Sequence, residues 1–280
     1  MEKLLDEIES YWSTRTEGYS EVNHKELAGT QKNAWLKVLT SQFPDKPKEE
    51  IRILDIGTGP GFFPVILAEA GYHVDAVDYT EGMLEKAKEN AGNLCRNIRF
   101  LRMDAQKLNF EDNTFDVVIS RNLTWNLEHP DVAYREWVRV LKVGGRLLNF
   151  DANWYGYLYE EEQRKAYEND RKNVENNSLD DHYLCTDIEH MERIALQVPL
   201  SKIRRPQWDV KTLREAGLLG IRTDTEIWKM VWSEEERLNY QSTPMFMVTG
   251  VKPDHFLNLP VVEGEKTEGF LEIGDGEFTL

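Results

Sequence analysis

The segment Ile51-Arg-Ile-Leu-Asp55-Ile-Gly57-Thr-Gly59-Pro-Gly61-Phe-Phe runs from a β-branched strand pattern through an acid into three alternate glycines. A helical pattern follows. Glycine admits dihedrals closed to other residues and lets a ligand lie directly on backbone. A glycine turn between strand and helix therefore reads as a ligand cradle, and its charge selects the ligand. A dinucleotide fingerprint needs a small third residue beneath a pyrophosphate. Here that position is Phe62, and Asp55, two residues ahead of the first glycine, would repel a diphosphate. Asp78 lies 21 residues after Gly57, at the end of the next strand pattern, where an acid can accept both hydroxyls of a ribose. Two acids around one bare turn describe a nucleoside that carries positive charge and no phosphate.

The elements that position these residues alternate. Strand patterns fall at Ile51 to Asp55, Val74 to Val77, Ile98 to Leu101, Phe115 to Ser120 and Arg146 to Phe150. Between them lie helical stretches: Phe62 to Ala70, a stretch through Met83, Leu84, Ala87 and Ala91 capped by Thr80, and one through Val132, Trp137, Val138 and Leu141 before a Gly144-Gly145 turn. Such alternation implies a parallel sheet covered on both faces. Ahead of it, Leu4, Leu5, Ile8, Tyr11 and Trp12 form one helical stripe, and Leu27, Ala34, Trp35, Val38 and Leu39 a second, ending before Pro44 and Pro47. After Phe150 the rhythm gives way to an aromatic, polar stretch up to Pro206. It resumes with a helix capped by Asp209 and strand patterns at Ile221 to Trp228 and Met245 to Val251. The expected organisation is an N-terminal helical extension over 1–50, one domain over 51–251 with an insertion at about 152–206, and an acidic tail over 252–280. An Asp-Gly turn at Gly274-Asp275-Gly276 predicts a hairpin in that tail.

Composition limits the function. Fifty acids against 34 bases leave a net charge of −16, which argues against a partner that tracks nucleic-acid phosphates. More than half of the surplus lies in 160–181, net −4, and 252–280, net −5. These read as solvated faces, or as a field that attracts a cationic small molecule. Cys95 and Cys185 stand far apart, so neither a disulfide framework nor a zinc ribbon is expected. His182, Cys185 and His190 lack a tetrahedral ligand pattern, and no metal is expected. No apolar run nears the roughly 20 residues of a membrane span, and the acidic start MEKLLDEIES is unlike a signal peptide. A soluble, cytoplasmic protein is the expectation.

Together these residues resemble the class I S-adenosylmethionine-dependent methyltransferases, in the small-molecule group that includes quinone-biosynthesis enzymes. The resemblance covers about Ile51 to Phe150. It implies a Rossmann-like, seven-stranded, mostly parallel sheet with helices on both faces, an N-terminal helical lid and a helical insertion after the fifth strand. LDIGTGPG, with Asp55, Gly57, Thr58, Gly59 and Gly61, resembles the motif that holds the methionine and ribose parts of the cofactor. Asp78 matches the ribose-binding acid, and Tyr79 and Met83 fall where residues flank the adenine. Met103-Asp104-Ala105 resembles the motif whose acid contacts the adenine amine. FDVVIS resembles the fourth-strand motif, which puts Arg121 and Asn122 at the cofactor's methionine end. VLKVGGRLL resembles the LKPGG turn, with Val143 in place of proline. Tyr11 to Tyr19 resembles an aromatic-plus-arginine start that folds over the cofactor, with Arg15 and Tyr19 holding the methionine carboxylate.

A sulfonium carries its own leaving group, so the protein's task is to align a nucleophile and exclude water. An alcohol or phenol acceptor would need a base. His129 and Asp151 are the candidates near the carboxyl edge, with Tyr11, Trp125 and Trp154 as pocket walls that can face a cation. The expected activity is methyl transfer to a small, cationic or amine-bearing molecule. Two rivals are a non-catalytic binder of the same cofactor and an NAD(P)-dependent dehydrogenase. Phe62 and Asp55 oppose the second. Acceptor atom and oligomeric state are open.

Overall fold

Seven strands form one sheet in the order β3-β2-β1-β4-β5-β7-β6: β1 (Arg52–Ile56), β2 (His73–Asp78), β3 (Ile98–Arg102), β4 (Phe115–Arg121), β5 (Leu141–Asp151), β6 (Leu219–Asp224) and β7 (Phe246–Val251). The structure, a computed structural model, describes residues 4–183 and 186–254. The pairs β1–β2, β2–β3, β1–β4 and β4–β5 are parallel, while β7 runs antiparallel to both β5 and β6. The central strands are buried on both faces, and the residues of β4 from Phe115 to Ser120 are all buried, as parallel strands covered by helices require. Chain order reverses at β1, between β2 and β4, and such a switch point opens a crevice at the strands' carboxyl ends.

The helices are α1 (Leu4–Ala28), α2 (Gln31–Ser41), α3 (Phe62–Glu69), α4 (Glu81–Ala91), α5 (Pro130–Val140), α6 (Glu161–Asn176), α7 (Ile188–Ala195), α8 (Gln207–Glu215), α9 (Trp228–Val231) and α10 (Glu234–Asn239). One core layer joins Trp35, Leu39, Phe62, Ile66, Val117 and Phe150 on one face. A second joins Leu54, Val118, Tyr134, Trp137 and Val248 on the other. The stretch between β5 and α8 carries α6 and α7, and packs Tyr155, Tyr157, Tyr183, Met191 and Ile194 with Ile8 and Tyr11 of α1 into a third cluster.

Several local expectations are corrected. The two N-terminal stripes belong to a 25-residue α1 and a separate α2. β5 begins at Leu141, five residues early, because the predicted glycine turn pairs with Lys252. Thr80 precedes α4 but makes no side-chain cap bond. Asp209 sits inside α8, buried and paired with Arg205. The second half of the predicted Ile221–Trp228 strand is missing, since β6 ends at Asp224 and Trp228 opens α9. The tail hairpin lies outside the described residues.

Gly61, expected to touch the cofactor, instead serves packing. It has φ +91°, and a Cβ there would lie 2.9 Å from Ala87 Cβ of α4. Gly61→Ala should therefore lower stability by about 1 kcal/mol or more, from backbone strain and contact together. Denaturant titration reads this directly, and an unchanged midpoint would contradict it.

Candidate active site

A cleft of about 1070 Å³, its open mouth included, lies at the carboxyl edge of β1–β4, where sheets of this kind bind ligands. Each sheet strand along it contributes by its last residues: Asp55, Gly57, Thr58 and Gly59 after β1, Asp78 and Tyr79 after β2, Asp104 and Ala105 after β3, Arg121 and Asn122 after β4. Met83 of α4 reaches it from the side. α1 roofs it with Leu5, Ile8, Glu9, Trp12, Tyr19 and Asn23.

The glycine turn is held by its acids. Gly59 N donates to Asp78 Oδ2 at 2.8 Å, Thr80 N to Asp78 Oδ1 at 2.9 Å, and the Thr58 hydroxyl to Asp55 Oδ2 at 2.6 Å. Gly57 has φ +71°, and any side chain there would strike Leu123, 2.7 Å from the Cβ position. Tyr19 lies over Gly59, 3.8 Å from its Cβ position. Asp104 Oδ1 accepts from Gln106 N at 2.8 Å. The lining includes five carboxylates (Glu9, Asp55, Asp78, Asp104, Glu128) against one arginine, Arg121. Moreover, that arginine is already matched. Its Nη1 and Nη2 donate to Glu26 Oε1 and Oε2 at 2.7 and 3.0 Å, and its guanidinium lies 4.8–5.3 Å from the Trp35, Phe62 and Phe63 ring centres. Burial works against the Arg121 charge, but Glu26 more than offsets it.

Burial raises Asp55 to about 7, reinforced by Asp78 and opposed by the Thr58 hydroxyl and Arg121. Asp78 is also raised, chiefly by burial. The ligand-free fold thus holds protons that the unfolded chain gives up above about pH 4. This stability is present below that pH and lost as pH rises through about 7 for Asp55. A cation bound beside Asp55 reverses the preference. Cofactor affinity should climb by up to about tenfold per pH unit below 7 and level off above it, which titration calorimetry from acid to alkaline pH would read. A flat profile would rule out this coupling.

Several expected site residues stand elsewhere. Asp151 cannot serve as a base, because it is fully buried and its oxygens are taken: Oδ2 by Arg205 Nη1 at 2.6 Å and Trp125 N at 3.0 Å, Oδ1 by Ala152 N at 2.9 Å and Trp154 Nε1 at 3.1 Å. His129 precedes α5, its side chain 62% exposed beside Glu128, and does not line the cleft. Arg15 is outside the lining as well. Tyr11 packs on Trp12 and His190, Trp125 on Tyr155, and Trp154 on Tyr240, so these three build the cap's interior rather than the cleft wall. His182 meets the Tyr240 hydroxyl and Glu235, and His190 lies near Glu7. Asp116 accepts from Lys46, Lys142 and Arg52 N, ordering the strand start.

Sequence reasoning missed Asn23, Glu26, Gln106 and Asn126. Tyr19, Asn23 and Glu26 recur at i, i+4 and i+7, so polar residues continuing an apolar stripe carried a readable signal for two of them.

Comparison with known proteins agrees with this geometry. Residues 54–149 match the family model described as a methyltransferase domain. The chain is 39% identical over 97 residues to the demethylmenaquinone methyltransferase of Clavibacter sepedonicus, covering 35% of this chain and 39% of that one. It is 30% identical over 169 residues to the ubiquinone/menaquinone biosynthesis C-methyltransferase of Xanthomonas oryzae pv. oryzae, covering 57% and 64%. The chain thus spans about two fifths to under two thirds of these relatives. Among solved structures, phosphoethanolamine N-methyltransferase 2 of Haemonchus contortus, in complex with S-adenosyl-L-methionine, aligns with TM-score 0.57 and 19% identity over 79% of this chain and 52% of that one. A [4+2]-cyclase aligns with TM-score 0.51 and 18% identity over 79% and 81%, so the fold alone does not fix the reaction. The strand order, glycine turn and paired acids are in keeping with the similarity of residues 54–149 to methyltransferase domains. By sequence, part of the chain is similar to methyltransferases named for quinone biosynthesis.

Proposed function

We propose that the protein transfers a methyl group from S-adenosylmethionine to a small nucleophile enclosed beneath α1. The carrying observation is the cleft itself: a bare glycine turn between Asp55 and Asp78 in an acid-lined pocket whose single arginine is already paired. The residues present fit the cofactor, since Gly57 tolerates no side chain and both acids flank the turn where a cationic nucleoside sits. Asp78 would hold the ribose, Asp104 and Ala105 the adenine, with Tyr79 and Met83 against its faces. Tyr19, Asn122 and the glycine turn would hold the methionine end. When bound, S-adenosylmethionine supplies an electrophilic methyl on sulfur. The chain's part is positional: Tyr19 and Asn23 close the roof, and Phe62, Phe63 and Leu123 keep water from the methionine end. Asp151 and Arg205 fix the backbone at Trp125 behind the wall. Among the described residues, His129 and Asp151, the two expected bases, do not line the cleft. The arrangement therefore suits an acceptor nucleophilic as a neutral amine or as a stabilised anion. The surplus of carboxylates favours one that is cationic or amine-bearing.

Calorimetry with S-adenosylmethionine and NAD side by side, followed by transfer of labelled methyl to fractionated metabolites, tests the reading. Binding of the sulfonium nucleoside alone, with label in a small product, is expected. Preference for NAD would overturn it, and tight cofactor binding with no labelled product from any extract would favour the non-catalytic binder.

A further inference from the structure

The sheet has two edge strands, β3 and β6. The charges of β3 are all arginine, and both are spent within the chain, Arg99 on Asp75 at 2.7 Å and Arg102 on Glu9 at 2.6 Å. β6 is different. It pairs with β7 alone, and among the described residues no other group bonds to its backbone. Four of its six residues are exposed, and a Cβ at Gly220 would meet open space.

An open edge strand offers a row of N–H and C=O groups to another strand, and natural edges are blunted by lysine, proline or a bulge. β6 has neither lysine nor proline, and its bulge falls near its start, between Leu219 and Arg222. From Arg222 to Asp224 its register against β7 is regular. Two large apolar side chains exposed to solvent flank the strand, Leu219 at its first position and Met230 on α9, the helix that follows.

The residues of this edge complement a copy of themselves. Directly opposed residues of an antiparallel pair interact: opposite charges and threonine pairs stabilise, and like charges destabilise. With Thr223 opposite Thr223 of a second copy, Arg222 of each copy faces Asp224 of the other. A shift that centres the pair on Arg222 or on Asp224 sets like charges face to face. One register is thereby selected. Among the described residues, Arg222 has no acid within ion-pair distance. Asp224 Oδ1 accepts from Glu226 N at 2.8 Å, which leaves Oδ2 for a guanidinium. A strand of unrelated sequence would find the same backbone groups but not this charge match.

We propose that β6 is a dimer edge, at which two copies of this chain pair antiparallel about a two-fold axis through Thr223. The two sheets then continue as one, with their clefts opening in opposite directions. Neither Arg222 nor Asp224 lines the cleft, so the contact stands apart from the methyl-transfer reading and does not depend on it.

Sedimentation velocity on the 280-residue chain tests this, at about 0.15 M salt, where repulsion between two acidic chains is screened beyond ~8 Å. Wild type should move from 32.7 kDa toward twice that mass as its concentration rises. Arg222→Glu and Asp224→Arg each place like charges across the axis and should weaken association at least tenfold. Mixed one to one, the acids of the first variant face the arginines of the second, and dimers should return. A structural role for either residue within its own chain predicts no such return. Melting curves show whether each variant is folded. If Asp224→Arg is not, Thr223→Lys replaces it, and two lysines opposed on the axis should also abolish the dimer. The proposal falls if wild type stays monomeric at every concentration, if the folded single variants associate as wild type does, or if they fail to recombine. A dimer formed only by a chain ending at Asp254 would overturn it as well, by giving the edge to residues 255–280.

Discussion

Arg205→Met should unfold the protein far more readily than any change at the cleft surface, with a loss of about 3–5 kcal/mol. Arg205 and its partners are fully buried: Nη1 reaches Asp151 Oδ2 at 2.6 Å and Nη2 reaches Asp209 Oδ1 at 2.6 Å. Asp209 Oδ1 also accepts from the Tyr134 hydroxyl, which in turn accepts from Asn149 Nδ2. Methionine preserves the apolar volume over Phe246 but leaves two carboxylates in a dry interior without their cation. Burial already raises Asp151 despite Arg205, so removal of the arginine raises it further. A raised carboxylate stabilises the fold at low pH and loses that contribution as pH rises. The deficit of the variant should therefore shrink toward pH 4–5 and be full above neutrality. Urea titrations at two pH values read both the size and the direction. A loss below about 1 kcal/mol at neutral pH, on the scale of an exposed pair, would refute the account.

Asp78→Ala should weaken S-adenosylmethionine by about 1.5–3 kcal/mol, the range for hydrogen bonds to a charged group, or roughly 10–150-fold in dissociation constant. Two losses combine. The carboxylate proposed to grip the ribose disappears, and so does the acceptor for Gly59 N and Thr80 N that shapes the glycine turn. Asp78→Asn separates them. It keeps one acceptor but turns an N–H toward a backbone donor, so its affinity should fall between those of the wild type and the alanine variant. Calorimetry on all three proteins, with melting curves to show that each is folded, provides the readout. Equal affinity in wild type and Asp78→Ala would remove Asp78 from the site.

Much of the sheet was legible because its signals are local. The run from Ile51 to Phe63 carries strand, acid, turn and helix within 13 residues, and Asp55, Gly57, Gly59 and Asp78 all meet in the cleft. What was misread depends on partners distant in sequence. Asp151 has the position of an edge acid, but Arg205, 54 residues on, occupies it. Arg121 has the position of a cofactor contact, but Glu26, 95 residues earlier, takes both of its terminal nitrogens. Trp125 and Trp154 stand near the edge, yet the cap supplies tyrosines that draw them inward. Spacing alone reports which face a residue occupies, not which distant side chain reaches it first.

The roof helix is fastened along its outer edge by surface contacts, Glu9 to Arg102 at 2.6 Å, Glu17 to Lys86 at 2.9 Å and His24 to Asn90 at 2.7 Å. Exposed contacts of that kind add little to stability and weaken with salt. Its inner side is different, with Glu26 locked to Arg121 at one end. At the other end Ile8 and Tyr11 pack into the cap's aromatic cluster, so both ends of the roof are seated by buried groups and only its flank is held by charge. Added salt should therefore loosen the flank of the roof while leaving its two ends in place.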